Sequence, residues 1–281
     1  MARLLALLAN RPDLTARLLA CEPETFSAAR REGESWGWGL GFHHHGELLL
    51  KRRPVEASHA LMLGKMLGDV VTDLVIASIQ PTDATTAHSS ESTAPFRYQD
   101  WLFTASGTIG DGSGLRAQVL ESLPEFLRRN LRSNSDNELI FHLFLSFLHD
   151  AGKLEHPGVL PRAAFAALAA TRDLLLRFGR ESSGSAPSIN ALLATPEAIF
   201  AARFGGPLAY RVLSGRAGVA RLFAGGDERR LPEQELESCR VAMVASDFEG
   251  DVVPEGWIPV ADGAMLALTR TDALHEDSSL R

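Results

Sequence analysis

A chain of 281 residues with 45% hydrophobic and 22% charged side chains can bury a sizeable core, and its composition is ordinary for a soluble globular protein. A formal net charge of −7, from 35 acidic and 28 basic side chains, gives no reason to expect nucleic acid, whose phosphates require clustered Lys and Arg. No apolar run reaches the roughly 20 residues of a membrane helix, and the opening Leu4-Leu5-Ala6-Leu7-Leu8-Ala9 is too short for a signal-peptide core. The basic runs Lys51-Arg52-Arg53 and Arg128-Arg129 are short and read as solvated faces. Cys21 and Cys239 make neither a disulfide framework nor a zinc site, and both read as small core or boundary residues in a reducing compartment. The expectation is a cytoplasmic protein without a cofactor or metal.

In chain order, Ala and Leu in the first nine residues favour a helix by propensity, but so short a run is not assignable by periodicity. Asn10-Arg11-Pro12-Asp13 breaks it, with Asp13 as the cap of a helix carrying Leu14, Leu18 and Leu19 on one face. Trp36 to Phe42 and Gly46 to Lys51 form a hairpin around a histidine turn. Ala57 to Leu67 reads as a helix with Leu61, Met62, Met66 and Leu67 as its stripe, and Leu74 to Ile79 as a short strand. Residues 81 to 95 have no period and form a loop, followed by a strand from Trp101 to Ile109 that ends in a glycine-rich turn. Helices follow to about Arg132, from Asp136 to Ala151 with Gly152 as its C′ residue, and from Pro161 to Phe178. Strand patterns then recur at Ile189 to Leu193, Ala198 to Phe204, Tyr210 to Leu213, Val241 to Ser246 and Met265 to Leu268. Strands, then helices, then strands suit a sandwich in a single domain spanning 1–281, with a flexible loop at 181–188 and a disordered tail at 270–281.

Several segments, in order, resemble class II glutamine amidotransferases of the stand-alone bacterial type. Met1-Ala2-Arg3-Leu4-Leu5 resembles that family's Met-Cys-Arg-Leu-Leu start, and Trp36-Gly37-Trp38-Gly39-Leu40-Gly41-Phe42 its Asp-Gly-Trp-Gly-Ile-Gly-Phe strand. Ile76-Ala77-Ser78-Ile79-Gln80 stands where the family has a strand ending His-Val-Arg, and Ser92-Thr93-Ala94-Pro95-Phe96 is similar to Asn-Thr-His-Pro-Phe. Thr104-Ala105-Ser106-Gly107-Thr108-Ile109 resembles Ala-His-Asn-Gly-Thr-Ile, and Ser135-Asp136-Asn137-Glu138 matches Thr-Asp-Ser-Glu at a helix start. Val244-Ala245-Ser246 and Trp257-Ile258-Pro259-Val260 are similar to its last strands. The resemblance implies an α+β fold, a four-layer αββα sandwich of two mostly antiparallel sheets of the N-terminal-nucleophile hydrolase kind, in which residues 1–9 form a buried strand.

The departures fall on the chemistry. In the family a processed N-terminal cysteine attacks the glutamine amide; here that position is Ala2, which has no atom to attack with. An asparagine side chain and the following glycine N–H form the family's oxyanion hole; Ser106 replaces the asparagine and Gly107 remains. Gln80 stands for the arginine that would clamp the α-carboxylate, so the bidentate charged contact is lost. Thr93 belongs to the same pocket, and Asp136, which would grip the α-amino group, is the charged contact that stays. The resemblance with these losses implies a pseudoenzyme acting as a scaffold, adaptor or regulatory subunit. Its alternatives are a glutamine or amino-acid sensor using the remnant pocket, and an amide hydrolase with an unrecognised nucleophile.

The expected partner is a protein, with neither nucleic acid nor membrane involved, and a homo-oligomer stays open. The 81–95 loop, leading into Phe96 and Tyr98, is one candidate for the interface; the bland reading makes both aromatics core. His43-His44-His45 and His149-Asp150 with His156 are weak as metal sites, since neighbours in a strand point to opposite faces and a helix end explains the second group. Ser106 as a replacement nucleophile has no histidine beside it in sequence to act as base.

Overall fold

The computed structural model describes residues 3–29, 35–56, 60–82, 89–108, 113–155, 161–182, 188–223, 232–246, 248, 252–271 and 274–277. Its frame is two antiparallel sheets packed face to face with helices on both outer faces. The first sheet takes β1 (Arg3–Ala9), β3 (Ser35–His44), β4 (Glu47–Glu56), β6 (Leu74–Thr82), β11 (Leu208–Ser214), β12 (Arg240–Ser246) and β13 (Ile258–Pro259), in the order β13-β11-β12-β1-β6-β3-β4. The second takes β7 (Phe96–Tyr98), β8 (Trp101–Thr108), β9 (Ser188–Thr195), β10 (Ala198–Phe204), β14 (Met265–Thr269) and β15 (Leu274–Asp277), in the order β15-β14-β10-β9-β8-β7. A small ribbon pairs β2 (Ser27–Ala29) with β5 (Ala60–Met62).

Strand alternation divides the interior into three cores, one between each pair of adjacent layers. On β1, Leu4, Ala6 and Leu8 face the second sheet, while Leu5, Leu7 and Ala9 pack under α1 (Pro12–Cys21) and α2 (Leu63–Leu67). Both faces are therefore dry, and β12 and β6 pair with the strand on either side. Six buried residues, Leu4–Ala9, with Leu5–Leu8 paired on both edges, hold an Ala/Leu run extended against its helical propensity. The second sheet turns Trp101, Phe103 and Ala105 of β8 outward onto α3 (Ser113–Ser122), α5 (Asp136–Asp150) and α6 (Pro161–Ser182). The four-layer αββα arrangement is the one implied by the sequence resemblance.

The local readings need several corrections. Asp13 does not cap α1: Arg11 is the N-cap residue and Pro12 opens the helix, while Asp13 pairs with Arg11 and Arg17. The helix expected from Ala57 to Leu67 is confined to Leu63–Leu67; residues 57–59 lie outside the described residues. Ala60–Met62 instead pairs with β2, and the Leu63 N–H donates to the Phe26 carbonyl. The cross-strand ladder captures the backbone while Leu61, Met66 and Leu67 are buried all the same. Pro124 divides the helix expected to run to Arg132 into α3 and α4 (Glu125–Arg128). The tail assigned to disorder contributes β15, whose residues 274–277 pair with β14 and close that edge of the sheet. Of the 181–188 loop, 181 and 182 end α6, 188 begins β9, and 183–187 lie outside the described residues.

Candidate functional site

The polar end of the layer between the sheets lies where β1 begins. Ala2 lies outside the described residues, but Arg3, its covalent neighbour, pairs with Ile79 of β6, so Gln80 is the next residue beyond that pairing. Leu74 and Ile76 face the second sheet, and by alternation Ser78 and the half-buried Gln80 share that face. Across the layer β8 packs against β6; its Leu102 points inward, and Thr104 and Ser106 follow on the same face. Asn190 of β9 stands opposite Ser106, its amide donating to the Gly206 carbonyl at 2.9 Å. Ser246 accepts the Leu4 N–H at 3.0 Å, pinning the first turn of β1 to β12. Six uncharged polar side chains thus cap an otherwise apolar layer. Ser78 and Thr104 are fully buried.

Backbone proximity fixes the glycines of this region. At Gly107 φ is +122°, and a Cβ there would lie 1.8 Å from the Ser188 carbonyl oxygen. At Gly39, whose strand turns its Trp and Leu neighbours toward the helices, a Cβ would lie 2.1 Å from the Ala94 carbonyl oxygen. Only glycine lets the 89–95 segment lie flat on β3. That segment carries the buried Thr93, whose hydroxyl donates to the Ser89 carbonyl at 2.9 Å.

Arg52 holds the same segment in place, and the sequence reading missed it by assigning its basic run to a solvated face. Its guanidinium donates to the carbonyls of Ser90, at 3.0 Å, and Pro95, and lies 5.4 Å from the centre of the Phe96 ring. Burial pushes its pKa down, opposed by the Glu138 charge. Lys51 and Arg53 are exposed, as the solvated-face reading expects, though Lys51 donates to the Met66 carbonyl and Arg53 pairs with Glu56. The available signal was the pairing of Arg52 with Gly39, which leaves the guanidinium room on a shared face. Phe96 is buried in the core beneath α5 and Tyr98 is half-buried, so the bland reading holds for Phe96. Residues 83–88 lie outside the described residues.

The start of α5 completes the site. Asn137 donates to the Ala105 carbonyl at 3.0 Å, tying the helix N-terminus to the strand that carries Ser106. Glu138, buried, accepts the backbone N–H groups of Arg132 and Ser133 and the Ser133 hydroxyl, which shapes the approach to the helix. Asp136, in the first turn, faces outward, where the helix dipole favours a carboxylate. Its oxygen is 3.1 Å from a guanidinium nitrogen of Arg116 on α3. Arg116 was not singled out from sequence, because α3 and α5 are 20 residues apart at this contact and only the fold joins them.

The other candidates fall elsewhere. His43 bonds Asp73 at 3.0 Å, and Asp73 also takes Arg270 at 2.7 Å, at the opposite end of β1, roughly 20 Å away by strand rise. His44 bonds the Val71 carbonyl, and His149 lies against Asp150 and the Phe126 ring; His156 is outside the described residues. Among the described residues no group of three His, Cys, Asp or Glu side chains is placed to hold a metal. No helix among them is long and apolar enough to cross a membrane. Cys239 is buried and Cys21 exposed, so the reading of both as core or boundary residues holds for Cys239 and not for Cys21.

Two antiparallel sheets face to face, helices on both outer faces and a polar layer end at the first strand define the class II glutamine amidotransferase-like fold. Solved structures bear this out. Over 98% of its length the chain is similar to a glutamine aminotransferase class-II domain protein from Silicibacter pomeroyi, at 16% identity, 98% of that chain and a TM-score of 0.60. Over 95% it is similar to a predicted glutamine amidotransferase from Pseudomonas aeruginosa PA01, at 16% identity, 97% of that chain and a TM-score of 0.57. Over 98% it is also similar to the allosteric regulatory enzyme of purine biosynthesis, at 15% identity and a TM-score of 0.54, spanning 48% of that chain. No protein-family model and no curated protein matches the sequence.

Proposed function

We propose that this chain is a catalytically inactive member of the class II amidotransferase fold that works through protein–protein contacts, as a scaffold, adaptor or regulatory subunit. The observation that carries the reading is the replacement of three site residues at once, at Ala2, Gln80 and Ser106, and the Arg116–Asp136 pair adds to it. Asp136 is the one charged contact of the glutamine site kept in the sequence, and its carboxylate already has a cation where a substrate ammonium would bind. The pair is half-exposed, so it is worth no more than about 1 kcal/mol. It competes with an ammonium ligand and does not exclude one. The decisive losses are Ala2, Gln80 and Ser106, which remove the nucleophile, the carboxylate clamp and one oxyanion donor.

Ammonia or glutamate release from glutamine by the purified protein, against a heat-killed blank, tests the loss of chemistry. Steady turnover above the blank refutes it. Affinity capture of the tagged protein tests the contact role, with a stoichiometric protein partner as the expected result. A small molecule retained without any partner would instead assign the polar layer end to ligand sensing.

A further inference from the structure

At the polar end of the layer between the sheets, two hydroxyls stand unpaired among the described residues. Ser78 of β6 and Thr104 of β8 are each 0% exposed, and neither side-chain oxygen has a hydrogen-bond partner. They face one another. A Cβ on Gly41 would lie within 3.0 Å of both the Ile76 and the Leu102 side chains, so those two meet across the layer. Ser78 and Thr104 are the next residues on the same faces toward the open end. Their oxygens do not reach each other. Buried hydroxyls left unpaired are destabilising and rare in native proteins. Alanine at 78 and valine at 104 would fill the same space without that penalty.

Around this pair the layer is apolar. Ser78 pairs in register with Leu4 and Gly39, Thr104 with Leu192, and Ile76 and Leu102 lie one step inward. An ion placed there would have no counter-charge, so whatever the hydroxyls serve is uncharged. It must also both donate and accept, as Ser and Thr do. About 7 Å further out, one strand repeat away, Gln80 and Ser106 offer a second set of neutral donors and acceptors on the same faces. The charges of this end are engaged elsewhere: Arg116 pairs with Asp136, and Arg203 of β10 donates to the Val260 carbonyl at 2.6 Å.

We propose that Ser78 and Thr104 are the inner contacts of a binding site for a small uncharged polyol, one hydroxyl group of which is held between them. A second hydroxyl group of the ligand meets Gln80 and Ser106. A guest with hydroxyl groups several bonds apart spans the two tiers. A zwitterionic amino acid does not, since its ammonium and carboxylate would be buried unpaired. Gln80, half-buried and unbranched, stands between the inner pair and the open end and must swing aside to admit the ligand. The inference rests on the preceding reading in taking glutamine chemistry as lost, and it gives a regulatory subunit its ligand.

Titration calorimetry of the full chain with glycerol, ribitol and glucose should find at least one polyol with a Kd below about 1 mM. Thr104→Val and Ser78→Ala should each weaken that binding about fivefold or more, while leaving the Tm of the unliganded protein unchanged or raised. A hydroxyl that serves the fold would do the reverse, so a lowered Tm or a variant that fails to fold overturns the proposal. So does the absence of polyol binding, or an affinity that the variants leave unchanged. Tighter binding of gluconate than of glucose would bring Arg203 into the site and overturn the uncharged class, and equal binding of acetamide would overturn the hydroxyl class. Glutamine turnover would refute the loss of chemistry and leave this test standing; polyols that fail to bind refute this inference alone.

Discussion

Restoring the nucleophile alone should not restore an amidotransferase. Consider Ala2→Cys, with removal of Met1 confirmed by intact mass, assayed by ammonia release over a range of glutamine concentrations. Loss of a nucleophile costs on the order of 10⁶ in rate, so the substitution addresses the largest single deficit. It leaves Ser106 where an asparagine donor is needed, a deficit of roughly 10² to 10³. It also leaves Gln80 where a charge-assisted contact is worth roughly 1.5–3 kcal/mol, a ten- to hundred-fold loss of binding. The scaffold for repair is present: the Gly107 backbone is fixed by its contact with Ser188, and Asn137 ties α5 to β8 beside Ser106. Ala2→Cys is therefore expected to give kcat/KM lower by about 10³ or more than Ala2→Cys combined with Gln80→Arg and Ser106→Asn. Arg116→Ala added to the triple variant should lower KM by a few-fold at most, in keeping with an exposed ion pair. If Ala2→Cys alone comes within tenfold of the triple variant, Gln80 and Ser106 are competent replacements and the reasoning fails.

Calorimetry with free glutamine should detect no micromolar binding to the unaltered protein; a Kd in that range would promote sensing over contact. Gly107→Ala should lower stability by about 2–5 kcal/mol, because it adds a Cβ at positive φ and against a carbonyl at once, and an unchanged Tm would contradict both terms. His142 is buried with Nδ1 on the Glu138 carbonyl, the Tyr98 ring beside it and no hydrogen-bond partner for Nε2 among the described residues. Burial pushes its pKa below the ordinary value, so the unfolded chain binds the proton more readily and stability falls as pH drops below about 6.5. His142→Phe should flatten that fall in urea titrations between neutral and mildly acid pH; an unchanged slope would show that other groups set it.

Where the sequence carried a period or a motif, it located the elements well, as with the hairpin of β3 and β4 and the extent of α5. It did less well where tertiary pairing competes with local preference. The Leu61-Met62 stripe fits a helix, yet the ribbon with β2 claims its backbone, and nothing within 57–67 announces its partners Ala28 and Ser27 so far back in the chain. The same holds for the site. Gln80, Ser106 and Asp136 could be placed by resemblance to motifs, but the groups that position or neutralise them act across long separations. Arg52 reaches residues 90–95 and Arg116 reaches Asp136 because β4 and α3 deliver them there. A charged residue in a short basic run looks solvated until its opposite number is known to be glycine.

The contrast between Gly39 or Gly107 and the side chains around them bears on how this molecule tolerates change. A strand's hydrogen-bond ladder is indifferent to most side chains, so positions 80 and 106 can exchange charge, size and donor count without moving the register of β6 or β8. Positions 39 and 107 have no such latitude, since one extra carbon drives a neighbouring carbonyl out of place. A saturation library selected for folding alone should accept many residues at 80 and 106 and glycine only at 39 and 107. The outline of the cleft and the chemistry within it are thus separately inherited, and new reactive groups can be introduced into this chain without rebuilding it.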